Sequence, residues 1–198
     1  MNKDIIKIEG NKTHLVPVTL NDRQNVYEWC FHSETTKYHS GPPDYPNNPI
    51  PTYEDFCASD EHGYTDYYFT GAKPKDGRGF IIINEEEPIG FVSYCAFHLK
   101  PNIAELDIWI KDDTNCGKGF GTDALVALSN WLNKEMGIDE LIMGPSAKNI
   151  RAVKAYEKAG FQITDSLMNE FLKDEYVSIL GSGDYGVDET LILIKQYN

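Results

Sequence analysis

Three glycines at alternate positions, in Cys116-Gly117-Lys118-Gly119-Phe120-Gly121-Thr122, join two segments of different periodicity. Before them, Ala104-Glu105-Leu106-Asp107-Ile108-Trp109-Ile110 alternates as a half-buried strand does. After them, Ala124, Leu125, Ala127, Leu128, Trp131 and Leu132 fall at helical spacing between Asp123 and Met136. A strand, a glycine-rich loop and a helix therefore follow one another. Glycine lets the backbone turn tightly and approach a ligand closely. The helix start offers unpaired N–H groups and a partial positive charge. Together they predict an anion site, most simply for a phosphate; the alternative is a glycine turn with no ligand. Two familiar phosphate loops are excluded. No GxxxxGK followed by Ser or Thr occurs, and the GxGxxG pattern fails at Thr122 when begun at Gly117 and at Ala124 when begun at Gly119.

Downstream, Leu141-Ile142-Met143 reads as a short buried strand ended by Gly144-Pro145. Ser146 or Asn149 caps the helix that follows, and Gly160 ends it. The other elements expected are a strand over 13–19, a helix over 21–33, a short helix over 52–60 and strands over 78–84 and 88–97. Glu85-Glu86-Glu87-Pro88 is the hairpin turn between those two strands. Then come a strand over 104–110, a helix over 119–135, a strand over 140–143, a helix over 149–159, a strand from 161 and a last strand over 190–195. The stretch 40–51, rich in Pro and Asn, is neither regular helix nor central strand. Strands and helices mix without strict alternation, which predicts an α+β sheet with one parallel pair.

The chain of 198 residues needs no second core, so 1–198 is read as a single domain. No apolar run approaches about 18 residues, and the first residues lack the apolar stretch of a secretory signal, so a cytoplasmic location is expected. Cys30, Cys57, Cys95 and Cys116 show neither C-x-x-C spacing nor clustered histidines, hence reduced thiols and no metal site. A net charge of −13 disfavours nucleic acid and anionic membrane as partners and favours cations. The local exception, Lys118, suits an anionic ligand in the glycine loop.

The loop at 117–122 and the string Asn149-Ile150-Arg151-Ala152-Val153-Lys154-Ala155-Tyr156-Glu157-Lys158-Ala159-Gly160-Phe161 together resemble the GNAT superfamily of N-acetyltransferases. The resemblance covers about 104–166 and extends more weakly to residue 13, with Glu28-Trp29 on the first helix. Cys116 departs from it, standing where the family has Gln or Arg. The resemblance implies a mixed, mostly antiparallel sheet flanked by helices, its parallel pair splayed at an acetyl-CoA site. It places the pyrophosphate on the backbone N–H groups of Gly117, Lys118, Gly119, Phe120, Gly121 and Thr122. It puts the thioester beside Ile108, Trp109 and Ile110, and gives Asn149 a cofactor contact, although a plain helix cap explains Asn149 equally.

Alternation puts Glu105, Asp107 and Trp109 on one face of their strand and Leu106, Ile108 and Ile110 on the other. Asp107, nearer the cofactor end, is the expected base for the attacking amine, against a solvated face as the alternative. Tyr156 occupies the position of the family's proton-donating tyrosine, against a buried aromatic whose hydroxyl is bonded. His98, a lone histidine closing a strand, is read as a partly exposed residue. The segment 181–186 is a structural loop or, with Tyr176 and Tyr185, a substrate-side lid; the 40–51 loop with Tyr38 and Tyr45 is the better lid candidate. The resemblance implies acetyl transfer from acetyl-CoA to the primary amine of a small cationic molecule, aminoglycoside- or polyamine-like. It also allows a homodimer. The alternatives are a protein N-terminal acetyltransferase of the ribosomal-protein type and a non-catalytic acyl-CoA-binding module.

Overall fold

A computed structural model describes residues 6–33, 50–58 and 66–197. Their elements in chain order are β1 (Ile8–Glu9), β2 (His14–Pro17), α1 (Arg23–Phe31), α2 (Tyr53–Ala58), α3 (Asp66–Thr70), β3 (Gly77–Asn84), β4 (Glu87–Cys95) and β5 (Ile103–Ile110). The second half adds α4 (Phe120–Met136), β6 (Glu140–Met143), α5 (Ile150–Lys158), β7 (Gln162–Thr164), α6 (Asp174–Leu180) and β8 (Ile192–Gln196). The strands form one sheet in the order β1-β2-β3-β4-β5-β6-β8-β7. Every neighbouring pair is antiparallel except β5 with β6.

The sheet is buried on both faces, and the alternation of β5 shows how. Ala104 and Leu106 enter the main core, where Ala124, Leu125, Leu128 and Leu132 of α4 and Val153 and Tyr156 of α5 meet the sheet. Trp109 points the other way, into a second cluster with Phe91, Phe56, Tyr27 and Phe69 beneath α1, α2 and α3. A third cluster, Leu99, Ile142, Phe171, Leu172 and Ile192, joins the segment around α6 to the strands β6 and β8. Asp123, in the first turn of α4, ties that helix to the β1–β2 connection. Its carboxylate accepts from the N–H groups of Asn11, Lys12 and Thr13 and from the Thr13 hydroxyl, each at 2.9 Å. Burial alone would raise this carboxyl; the four donors outweigh it and hold it below its ordinary value.

The parallel pairing of β5 with β6 is short. It runs from Ile103 opposite Glu140 to Glu105 opposite Ile142, whereas β4 stays paired with β5 as far as Ile110. Past Met143 the chain turns at Gly144-Pro145 and pairs elsewhere. Pro145 O accepts from Leu191 N at 2.9 Å, Ala147 N donates to Glu189 O at 2.7 Å, and Ser146 bridges Thr190. So the stretch 106–110 of β5 has no strand partner on its β6 side, and a gap opens in the sheet.

The expected elements are present, shifted by one to three residues at their ends. β2 stops at Pro17 rather than 19, and the first helix begins as a 3-10 turn, Leu20–Asp22. The hairpin turn is tighter than expected: only Glu85 and Glu86 form it, both with positive φ, while Glu87 and Pro88 already belong to β4. β1, α3 and α6 were not anticipated; each is too short to display a period. The 40–51 loop, with Tyr38 and Tyr45, falls outside the described residues except for its last two positions. No helix among the described residues is long and apolar enough to cross a membrane.

Candidate active site

The glycine loop starts α4 with an uncommon backbone. Gly117 and Gly119 adopt φ values of 75° and 84°, a region that costs other residues a steric clash, and Gly119 is the helix N-cap. Gly121 is a glycine for a different reason. A Cβ there would lie 3.4 Å from Ile108 Cδ1 and 3.7 Å from Ile110 Cδ1, filling the space between helix and strand. The first backbone N–H of this region to find an acceptor is that of Asp123, to Gly119 O at 3.0 Å. Those of residues 117–122 find none among the described residues, so six donors converge at one helix start.

These donors open onto a cleft of about 290 Å³ between the sheet gap, α4 and α5. Its walls include Ile108 and Ile110 of β5, Gly117, Gly119, Phe120, Gly121 and Thr122 of the loop, and Asn149, Ala152, Ala155 and Tyr156 of α5. Cys116 lines it as well, its thiol 3.4 Å from Asp112 O. Burial raises this thiol, although Arg151 acts in the opposite sense. Asn149 caps α5, its Oδ1 accepting from Ala152 N at 3.1 Å, and its side chain also reaches the cleft. Both readings of that residue therefore describe the same geometry. Arg151, Lys154 and Lys158 add three cations to the cleft wall. Their spacing of three and four along one helix was visible in the sequence and went unread.

Two expected residues lie off the cleft wall. Lys118 is turned away, its carbonyl accepting from Lys12 Nζ at 2.9 Å and its ammonium 6.0 Å from the Phe120 ring centroid. Trp109 packs on the far face of β5, 6.0 Å from Phe91 between ring centroids, leaving only its backbone near the gap.

Asp107 stands on that far face as well, opposite the buried Ser93 of β4. Tyr156 approaches from the cleft side. Its ring is 7% exposed, burial pushes its hydroxyl well up, and the next largest influence is the Asp107 charge. The gap in the sheet thus brings together two groups carried on opposite faces. Desolvation lifts Asp107 well above the ordinary carboxylate range; Glu105 and Asp184 add to that, and His98 opposes it. Burial pushes Glu105 up to about 8, helped by Asp184.

His98 corrects the sequence-based expectation. It is 4% exposed, with Nε2 3.0 Å from Glu105 Oε2 and Nδ1 3.4 Å from Cys95 Sγ. Burial brings its imidazole down to about 4, against the pull of Asp107 and Asp184. The loop before β8 closes the same corner. Tyr185 N donates to Thr190 Oγ1 at 3.1 Å, and a Cβ on Gly144 would sit 3.5 Å from Glu105 Oε1 and 3.6 Å from Thr190 Cγ2. Burial, Asp184, Asp107 and Glu105, in that order, raise the Tyr185 hydroxyl. Asp184 and Tyr185 come from the segment read as either loop or lid, and they reach the carboxylates of β5.

A strand gap, a glycine cradle of N–H groups and a carboxylate facing a tyrosine across the sheet define an acyl-transfer site for a phosphate-bearing donor. The acetyltransferase (GNAT) domain model matches residues 12–162, and the chain belongs to this family. It is therefore an acetyltransferase, and the co-substrate of its family is acetyl-CoA. It is 26% identical over 169 residues to the aminoglycoside N(6')-acetyltransferase type 1 of Klebsiella pneumoniae, covering 80% of this chain and 78% of that one. Over 96 residues it is 33% identical to an uncharacterised N-acetyltransferase of Bacillus subtilis, covering 46% of this chain and 59% of that one. Two solved structures share the fold. One is an aminoglycoside acetyltransferase in complex with coenzyme A and kanamycin (TM-score 0.63, 18% identity, 93% of this chain and 94% of that one). The other is a ribosomal L7/L12 α-N-protein acetyltransferase in complex with coenzyme A (TM-score 0.66, 14% identity, 96% and 98%).

Proposed function

We propose that this enzyme moves the acetyl group of acetyl-CoA to a primary amine of a small cationic molecule of the aminoglycoside kind. The observation that carries this reading is the arrangement of charge across the sheet gap. Free N–H groups and Arg151, Lys154 and Lys158 line the donor side, while Asp107, Glu105 and Asp184 influence one another on the other. The identity with the Klebsiella enzyme supports the acceptor class.

Acetyl-CoA supplies an activated acyl group on a thiol that leaves readily. The N–H groups of 117–122 and the three cations of α5 bind its phosphates. Ile108, Ile110, Ala152 and Ala155 line an apolar slot for its arm. On the acceptor side Asp107 attracts an ammonium group and takes one proton from it. An elevated proton affinity suits a carboxylate to that task near neutral pH. The amine lone pair then forms the C–N bond as the C–S bond breaks. Tyr156 gives its hydroxyl proton to the departing sulfur, and the proton on Asp107 returns to the tyrosine through solvent.

Thiol release from acetyl-CoA, measured with kanamycin, spermine and a peptide bearing a free N-terminus, tests this reading. Turnover is expected with kanamycin and is expected to disappear in Asp107→Asn. Turnover confined to the peptide would reassign the enzyme to protein N-termini. Coenzyme A binding without turnover on any amine would make the chain an acyl-CoA-binding module.

A further inference from the structure

Beside the proposed base lies a buried chain of three polar groups that the acetyl transfer described above leaves unused. Cys95 ends β4, His98 sits in the turn that follows, and Glu105 faces Cys95 across the antiparallel pair. The contacts are 3.4 Å from sulfur to Nδ1 and 3.0 Å from Nε2 to Oε2. The side chains of His98 and Glu105 are 5% and 14% exposed. Glu105 is two residues from Asp107 on the same strand face, about 7 Å along the strand. It stands at the last paired position of the parallel strands, where the sheet gap begins.

The chain has no outlet. Its far end, Cys95, is a buried thiol whose proton affinity burial raises. It therefore cannot conduct the amine proton away to solvent. What it can do is hold one proton between an imidazole and a carboxyl and fix that carboxyl in place. A histidine that donates from Nε2 to Glu105 keeps the carboxylate charged beside Asp107. A like charge at this separation makes the neighbouring carboxylate hold its own proton more tightly. We propose that Glu105 and His98 are positioning residues for the acetyl transfer, setting the proton affinity of Asp107 through their hydrogen bond.

This inference rests on Asp107 being the base. The groups facing Asp107 are Glu105 on its own strand, His98 and Cys95 from the end of β4, Cys30 from α1, Tyr156 from α5, and Asp184 and Tyr185 from the loop before β8. Of these, the Glu105–His98 pair combines a direct hydrogen bond with a place on the same strand face. Both influences on Asp107 run in the required sense: Glu105 raises its proton affinity and His98 lowers it.

The test follows the Asp107 carboxyl by NMR on the full chain carrying ¹³C-labelled aspartate carboxyls, with Asp107→Asn to assign the signal. Glu105→Gln, His98→Ala and His98→Gln are compared with the parent. Glu105→Gln keeps the shape and removes the charge, so the Asp107 midpoint should fall by about one unit. His98→Ala takes the donor from Glu105, which then keeps its proton, and the midpoint should fall in the same direction. His98→Gln retains a donor near the Nε2 position and should restore the parental value. If Glu105→Gln and His98→Gln are folded and all midpoints coincide with the parent, the pair is a structural bond only and the proposal fails, even where His98→Ala does not fold. No acceptor is needed for this titration. It can therefore fail while Asp107→Asn still abolishes turnover, which separates this inference from the reading of Asp107 as the base.

Discussion

Asp107 is held in a place that favours reaction over stability. The lost hydration around it, then Glu105 and Asp184, raise its proton affinity on folding. A carboxyl raised in this way binds its proton more tightly in the native than in the unfolded chain. From about pH 4, where an unfolded aspartate ionises, up to the native midpoint, stability therefore falls as pH rises. Asparagine carries no such charge. Asp107→Asn should melt higher than the parent at pH 8, with the difference fading toward pH about 4. Each unit of raised affinity is worth about 1.4 kcal/mol, or roughly 3 to 6 °C for a chain of this size. A variant that melts lower than the parent at pH 8 would mean that the carboxylate is stabilising where it stands. Tyr156 is the complementary case. Its hydroxyl makes no hydrogen bond to any described residue while its ring stays in the core. Tyr156→Phe should keep the fold and coenzyme A affinity and lower kcat by roughly 10- to 1000-fold. A kcat within about twofold of the parent would leave the tyrosine only a packing role.

At the level of elements, the glycine loop and α4 act as one device. The loop's backbone presents the N–H groups, and α4 is fastened by Asp123 to the start of the sheet, so the donors are held on a rigid support. Gly121 is the position at which to probe them. Its φ is ordinary, unlike those of Gly117 and Gly119, so a side chain there adds bulk and charge without backbone strain. Gly121→Asp should weaken coenzyme A binding by well over tenfold, which is more than about 1.4 kcal/mol. Unchanged calorimetric affinity in a folded variant would remove the cradle. These elements were legible in the sequence because each carries its own period. β5 alternates, α4 buries Ala124, Leu125, Leu128 and Leu132, and Asn149 and Gly160 bracket α5. α3 and α6 were not legible. α6 has only seven residues and leaves Val177 and Ile179 exposed, so its helix shows no apolar stripe.

Across the whole molecule, the charge is divided by the sheet. A chain of net charge −13 gathers Arg151, Lys154 and Lys158 on the donor cleft and sets Asp107, Glu105 and Asp184 about the other side of the gap. Only part of this was readable beforehand. Asp107 and Tyr156 stood out because each is an unusual residue within a regular local pattern. His98 and Asp184 could not stand out, since what defines them is contact with Glu105 and its neighbours through strand pairing and a distant loop. The division has a kinetic consequence. Raising ionic strength from about 0.01 M to about 0.15 M shortens the screening length from about 30 Å to about 8 Å. A polyamine acceptor feels the field of several carboxylates, so its kcat/KM should fall roughly tenfold or more over that range. An acceptor with one amine should lose much less. The KM for acetyl-CoA should also change less, because its phosphates meet fixed N–H groups and adjacent cations at contact distance, inside an otherwise repelling field. Initial rates with spermine, kanamycin and a monoamine at several salt concentrations measure this. Equal salt slopes for all three acceptors would mean that the acidic side of the gap does not draw the substrate in, and that Asp107 acts there as a base alone.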